Sequence, residues 1–231
     1  MGNDALETRM ERKFAPSAAL DALAVVDAHL CGVHPGIRDL HPPRVVLNVY
    51  LDTPDLRFYR DAVAGLPRRR KVRIRWYARA DASDAGVPVR AGRLEIKSRD
   101  GPLVRKRVFG LSGFDPAACA TRRGVQAILD AAGLPAGVRE SLRWLRPVLR
   151  NRYRRAYRAT VDGRCRVTID TALADAAPAG RAADRVRDGA VLELKYAAVD
   201  EGIAARICAQ IPWRLVRHSK YVTGLARVLL P

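Results

Sequence analysis

Basic side chains recur at every second position in a β-prone segment of this chain. In residues 70–77, Lys71, Arg73 and Arg75 alternate with apolar residues. Successive side chains of a strand point to opposite faces, so this spacing places the three cations on one face. Ammonium groups and forked guanidinium groups both bind phosphate oxygens. The pattern therefore predicts a surface that binds polyanions and neutralises their charge, which is the main requirement of phosphoryl transfer.

Two other segments carry an acid and a lysine two positions apart, opposite an apolar face. Glu95 precedes Lys97 in one of them, and Glu193 precedes Lys195 in the other. An open sheet with one solvated face explains such patterns. The density of the charges and the supply of apolar helices favour a barrel whose charged faces point inward. Inward charges would need water, mutual pairing or a polyanionic ligand.

The overall charge agrees with a polyanionic partner. The 231 residues contain 42 Lys and Arg against 24 Asp and Glu, a formal net charge of +18, and only six of the basic residues are lysines. Nucleic acid, an anionic membrane or polyphosphate would each suit such an excess, and so would a solvated basic surface.

The sequence lacks the signals of a membrane span, a secretory leader, a zinc site and a disulfide framework. No apolar run is long enough to cross a bilayer, and residues 1–7 do not resemble a secretory signal. The four cysteines are scattered, which predicts neither a zinc site nor a disulfide framework. We therefore expect a single domain over residues 1–231 in a reducing cytoplasm, without membrane insertion. The oligomeric state is left open.

Strands alternate with turn signals along most of the chain, which predicts an α+β fold built on an antiparallel β tunnel of about eight strands with flanking helices. Asp100-Gly101 and Asp162-Gly163 are turn signals. The predicted strands are 45–51, 70–77, 93–97, 103–109, 148–160, 164–170 and 190–196. The predicted helices are 16–30, two within 115–145 that are broken near Gly133, 200–210 and 219–229. The predicted loops are those through Pro43, at 81–92 and at 174–188.

A set of short motifs, in a consistent order from residue 11 to residue 221, resembles the VTC (vacuolar transporter chaperone) domain. The motifs are ERKF at 11–14, YLDTP at 50–54, LPRRRKVRIRWY at 66–77, LEIK at 94–97, NRYRR at 151–155, RVTIDT at 166–171, LELKY at 192–196 and SKY at 219–221. Each motif is weak, but together they cover nearly the whole chain. VTC domains belong to the triphosphate tunnel metalloenzymes, which use a divalent metal inside a β tunnel open at both ends.

The resemblance implies a role for each matching residue. Catalytic contacts with the phosphates would come from Lys13, Arg73, Arg75, Lys97 and Lys220. Further substrate contacts would come from Lys106, Tyr153, Arg155, Arg166, Lys195, Arg217 and Ser219. The implied metal is Mn²⁺ or Mg²⁺ on Glu193, with Glu11 and Glu95 as assisting acids. The alternative for each acid is a structural salt bridge to a neighbouring Lys or Arg.

One motif departs from the wider superfamily, in which the first strand begins Glu-x-Glu-x-Lys. The corresponding positions here are Arg9, Glu11 and Lys13, so the first acid is absent. This difference favours the VTC branch over the thiamine-triphosphatase and adenylate-cyclase branches, and it weakens a two-metal mechanism.

The activity implied is polyphosphate synthesis, in which the terminal phosphoryl group of ATP passes to a growing polyphosphate chain. Hydrolysis of inorganic triphosphate or a nucleoside triphosphate in the same tunnel is the alternative. A non-catalytic polyphosphate-binding module is another. Nucleic acid is not expected as a partner, because the sequence shows no zinc-finger spacing or RNA-recognition motif. His218 is the nearest candidate for a base beside Ser219, although a lone histidine is usually structural.

Overall fold

One antiparallel sheet dominates the chain. The computed structural model describes residues 3–6, 9–16, 23–24, 28, 31–32, 36–79, 88–179 and 185–230. Within these residues the sheet has ten strands: β1 (Asn3–Leu6), β2 (Arg9–Phe14), β3 (Ile37–Asp52), β4 (Arg69–Arg79), β5 (Val89–Asp100), β6 (Leu103–Phe114), β7 (Arg146–Thr160), β8 (Cys165–Ala176), β9 (Arg185–Arg187) and β10 (Val191–Ala197). β1 and β9 are short, and the remaining eight strands agree with the predicted number.

Five α-helices accompany the sheet in the described part of the chain. They are α1 (Arg57–Val63), α2 (Arg122–Asp130), α3 (Ala136–Leu142), α4 (Glu201–Ala209) and α5 (Lys220–Leu229). Two 3₁₀ turns, Pro116–Ala120 and Ala198–Asp200, precede α2 and α4. None of the described helices combines the length and the apolar character that a membrane crossing requires.

The sheet is curled, and its two edges are brought together by the segment that contains β1 and β2. The strand order is β1-β6-β5-β4-β3-β7-β8-β10-β2, with β9 beside β8. β1 therefore lies at one edge and β2 at the other, although only residues 7–8 separate them along the chain. The three peptide steps from Leu6 to Arg9 span at most about 11 Å. The two edges must approach within that distance, which gives the tunnel predicted from the sequence.

The outer face of the sheet is apolar and is covered by helices. One core cluster joins alternate residues of β3–β6, such as Leu47, Ile74 and Leu94, to residues of α2 and α3. A second cluster joins β2, β8 and β10 to α4, where Ile203 and Ile207 are buried. The alternation in β4 thus has the predicted orientation, with apolar side chains outward beneath helices and charged side chains inward.

Helix α5 packs against the inner face of the sheet. Tyr221, in its first turn, stacks on Tyr50 of β3 with ring centroids 4.9 Å apart. The Tyr221 hydroxyl also donates to the Asp52 carboxylate. That carboxylate accepts from the backbone N–H groups of Phe58 and Tyr59, each at 2.9 Å, at the start of α1. One buried acid thus links both helices to the end of β3.

Three predicted boundaries are wrong. The predicted loop through Pro43 belongs to β3, whose pairing with β7 is irregular between His41 and Arg44. This irregularity accommodates prolines, which lack an N–H for the ladder. The predicted loop at 81–92 is strand from Val89 onward, and the predicted loop at 174–188 contains the end of β8 and all of β9. The two helices predicted within 115–145 are confirmed, whereas most of the predicted helix 16–30 lies outside the described residues.

Gly224 is required by the close packing of α5 on the sheet. A Cβ at this position would overlap Asp175 Oδ1 and lie 2.9 Å from Leu149 Cδ2. We expect Gly224→Ala to lower the free energy of unfolding by about 1–3 kcal/mol, despite the higher helix propensity of alanine. Chemical denaturation followed by circular dichroism measures this change.

Gly202 in α4 is the matched control, because a Cβ there meets nothing within 4 Å. Gly202→Ala should leave the stability unchanged or raise it by up to about 1 kcal/mol. Equal effects of the two substitutions would contradict the close approach of α5 to Asp175.

Candidate active site

The inner face of the sheet and the start of α5 enclose a cavity of about 200 Å³. Strands β2–β7 and β10 all contribute to its wall. The lining residues are Glu11, Lys13, Tyr50, Lys71, Arg73, Arg75, Glu95, Lys97, Lys106, Tyr153, Arg155, Glu193, Lys195, Ser219, Lys220 and Tyr221. Nine of these are Lys or Arg and three are Glu, so the wall carries a large excess of positive charge.

Glu95 gathers three cations at one side of the cavity. The Arg73 guanidinium donates to Glu95 Oε2 from Nε at 2.9 Å and from Nη2 at 2.5 Å. Arg75 Nη1 and Lys106 Nζ each lie 3.6 Å from the same carboxylate. Burial alone would raise the pKa of Glu95, but the three cations hold it well below its usual value. Glu95 therefore stays ionised and holds the two arginines in place.

Glu193 and Glu11 meet at Lys13 on the adjoining strands β10 and β2. Lys13 Nζ lies 2.5 Å from Glu11 Oε1 and 3.8 Å from Glu193 Oε2. Lys195 Nζ lies 2.8 Å from Glu193 Oε1. Although burial raises the pKa of Glu193, the charges of Lys195, Lys13 and Arg155 hold it well below its usual value.

The described residues contain no cluster of three or more His, Cys, Asp or Glu side chains that could hold a metal ion by themselves. Mg²⁺ often needs only one or two carboxylates, because water and substrate phosphates complete its coordination. Glu11 and Glu193, which share Lys13, fit that requirement. Glu95 fits it less well, because its oxygens already contact three cations.

Asp170, which sequence reasoning missed, organises the cations contributed by β7 and α5. Its carboxylate accepts two hydrogen bonds from Arg155, Nε to Oδ1 at 2.6 Å and Nη2 to Oδ2 at 2.8 Å. Lys220 Nζ lies 2.5 Å from Oδ2 and 5.0 Å from the centre of the Tyr153 ring. Asp170 is fully buried, and the charges of Arg155 and Lys220 hold its pKa below the usual value despite that burial.

A chain of hydrogen bonds between buried polar groups holds the Arg75 guanidinium in place. Arg75 Nε donates to Asn48 Oδ1 at 2.8 Å, and Asn48 Nδ2 in turn donates to Asn151 Oδ1 at 3.4 Å. Asn151 Nδ2 donates to Asp175 Oδ1 at 2.7 Å, and Arg187 Nε lies 2.8 Å from Asp175 Oδ2. Four strands thereby hold one guanidinium at the cavity wall, which is the kind of preorganisation that charge stabilisation requires.

Lys71 differs from these cations, because the described residues place no carboxylate within salt-bridge distance of it. Its ammonium donates to Ser219 Oγ at 2.9 Å. Burial, with the charges of Lys13, Lys97, Arg73 and others, lowers the pKa of Lys71 to about 8. The ligand-free protein therefore holds a half-buried positive charge without a carboxylate partner near neutral pH.

The cavity contains thirteen of the fifteen predicted site residues, and the individual roles of all of them remain predictions. Arg166 and Arg217 do not line it. Arg166 lies on β8 toward its exposed end, and Arg217 lies in the exposed segment before α5. Tyr50, Lys71 and Tyr221 also line the cavity but were not among the predicted site residues. The alternation in β4 placed Lys71 on the charged face, so that signal was available in the sequence.

Among the described residues, no hydrogen bond joins the His218 imidazole to the Ser219 hydroxyl, whose partners are Lys71 and the N–H of Val222. Burial and the charges of Lys220, Arg187 and Lys13 lower the pKa of His218 to about 4. Its Nε2 has no hydrogen-bond partner among the described residues. The imidazole is thus neutral near pH 7. The backbone carbonyl oxygen of His218 accepts from Lys13 Nζ at 3.1 Å.

Comparison of folds matches 45 chains of solved structures, among them two candidate cyclases. A candidate adenylyl cyclase from Hippeastrum, described as having a dominant triphosphatase activity, matches with a TM-score of 0.52 and 16% identity, over 96% of this chain and 98% of that one. A candidate adenylate cyclase from Vibrio parahaemolyticus matches with a TM-score of 0.51 and 11% identity, over 93% and 97%. A search among curated proteins finds no match.

At 16% and 11% identity, the two structural matches show that the fold is shared. The sequence also matches the VTC domain over residues 39–229. The chain therefore belongs to the VTC domain family, as the motifs of the sequence predicted.

Removing the Lys71 charge should stabilise the ligand-free protein. Because folding lowers the pKa of Lys71 from 10.5 to about 8, the cost of burying its charge is complete below pH 8 and disappears as the pH rises toward 10.5. We expect Lys71→Met to raise the melting temperature by several degrees at pH 7 and to have little effect near pH 10. Differential scanning calorimetry at both pH values measures this. A lower melting temperature at pH 7 would contradict the uncompensated charge.

Proposed function

We propose that this protein is a metal-dependent phosphotransferase that makes polyphosphate by moving the terminal phosphoryl group of ATP onto a growing chain. The observation that carries the proposal is the cavity wall, where nine cations face three carboxylates. Such an excess in an enclosed space is costly unless a polyanion enters. Membership of the VTC domain family supports a phosphate chain as that polyanion.

The residues of the wall would bind and orient the phosphates. Arg73 and Arg75, held by Glu95, present guanidinium groups that match phosphoryl oxygens. Arg155 on β7 and Lys220 on α5 are both held by Asp170. They present a guanidinium and an ammonium group to the same cavity. Because these groups are already positioned in the ligand-free protein, little reorganisation is needed when negative charge develops on the transferring group.

Glu193 and Glu11 are the side chains that would hold the divalent cation, Mn²⁺ or Mg²⁺. When bound, the cation would supply positive charge to phosphate oxygens. We assign Glu95 instead to positioning Arg73 and Arg75, because its carboxylate is engaged by three cations. A covalent phosphohistidine is not part of the proposal, since His218 is not among the residues that line the cavity.

Hydrolysis is the second candidate, because the Hippeastrum protein of the same fold is described as having a dominant triphosphatase activity. Polymerase and hydrolase would use the same cations and the same metal. They differ in whether a phosphate oxygen or water reaches the reacting phosphorus.

Product analysis separates the two activities. The protein is incubated with ATP and Mn²⁺ or Mg²⁺, and the products are resolved on a polyacrylamide gel and by phosphate release. We expect a ladder of polyphosphate with the wild type. Free phosphate or pyrophosphate without a ladder would support the triphosphatase, and no turnover with tight polyphosphate binding would identify a binding module.

Two substitutions test the assigned roles. Lys13→Ala and Glu193→Ala should each reduce turnover by about 10²–10³-fold, the loss typical of a group that stabilises transition-state charge. Arg123→Met is the control, because Arg123 is an exposed cation on α2 outside the cavity. Unchanged turnover in Glu193→Ala would contradict the assignment of the metal to Glu193.

A further inference from the structure

Most cations of the cavity have a carboxylate partner. Arg73, Arg75 and Lys106 share Glu95, and Arg155 and Lys220 share Asp170. Lys13 and Lys195 contact Glu193. Each of these cations therefore has a negative charge of the protein itself beside it.

The charged groups that act most strongly on Lys71 are all positive. The neighbouring charged groups are Arg69 and Arg73 on its own strand, Lys97 on β5 and Lys13 on β2. From the segment before α5, the neutral hydroxyl of Ser219 contacts it. The carboxylates of the cavity wall, Glu11, Glu95 and Glu193, contact other cations.

Ser219 is arranged to donate into the cavity. Its Oγ accepts from Lys71 Nζ at 2.9 Å and from Val222 N at 3.3 Å, at the start of the ten-residue helix α5. A serine hydroxyl has two lone pairs and one hydrogen, so both acceptor positions are used. Within the described residues the hydrogen itself has no acceptor. An anionic oxygen is the group that would satisfy both this hydroxyl and the adjacent ammonium.

We propose that Lys71 and Ser219 form a phosphate subsite of the tunnel, and that a polyphosphate chain entering it causes Lys71 to take up a proton from solvent. The inference rests on the proposed function in that it requires a phosphate chain in the tunnel. The phosphate oxygens supply the negative charge that the ligand-free site lacks, and the ammonium donates to them. The lowered pKa of Lys71, about 8, leaves room for that uptake near pH 8.

Isothermal titration calorimetry with tripolyphosphate measures the uptake directly. Titrations at pH 8 without metal, in buffers of different ionisation enthalpy, give the number of protons bound per ligand. The three proteins compared are the wild type, Lys71→Arg, and Arg123→Met as the control for loss of a surface cation. Melting curves establish that each protein is folded.

We expect the wild type and Arg123→Met to take up about half a proton more than Lys71→Arg, because an amine with a pKa near 8 is half protonated at pH 8. Arginine keeps the charge but does not titrate. Lys71→Arg should therefore still bind tripolyphosphate, and its affinity should depend less on pH between 7 and 9. In Ser219→Ala, we expect weaker binding with the proton uptake retained.

Equal proton uptake by the wild type and Lys71→Arg would overturn the subsite while leaving the proposed function in place. A wild-type protein that does not bind tripolyphosphate at all would instead overturn the proposed function, and the subsite with it. Unchanged affinity in both Lys71→Met and Ser219→Ala at pH 7 would also overturn the subsite, because neither group would then contact the ligand.

Discussion

The structure depends on the compensation of like charges within an enclosed space. Three carboxylates from three strands, Glu95, Asp170 and Glu193, each contact two or more cations of the cavity wall. Without these acids, the repulsion and desolvation of so many cations would oppose the curling of the sheet. Because each of these three acids serves two or more cations, the wall keeps a net positive charge that an anionic ligand can neutralise. The stability of the fold and the binding of a ligand thus depend on the same set of ion pairs.

Apolar side chains pack on the outside of the sheet and in two clusters on its inner face. Helices α2, α3 and α4 cover the outer face. Helix α5 fills part of the inner face, where Tyr221 and Leu225 pack on Tyr50 and Leu149. This arrangement leaves the lysines and arginines of the remaining inner face around the cavity. The position of α5 therefore sets how much of the tunnel is available to a ligand.

Alternation in the sequence was enough to predict the strands and the inward orientation of Arg73 and Arg75. The face to which a strand residue points depends only on its position relative to its neighbours in the chain. Their partners could not be predicted, because pairing between distant strands is not encoded in local spacing. Asp170 lies in the RVTIDT motif, but nothing in that motif indicates that Arg155 from one strand and Lys220 from a helix converge on it. The strand through Pro42 and Pro43 was missed because turn propensity was overridden by an irregular pairing with β7.

The way the sheet closes has a consequence for the order of folding. β1 pairs with β6 and β2 pairs with β10, strands that come much later in the chain. During synthesis, β2 has no partner strand until Val191–Ala197 has left the ribosome. Contacts of such large sequence separation form slowly. Lys13, and with it the competence to bind a phosphate chain, would then be among the last features acquired by a nascent molecule.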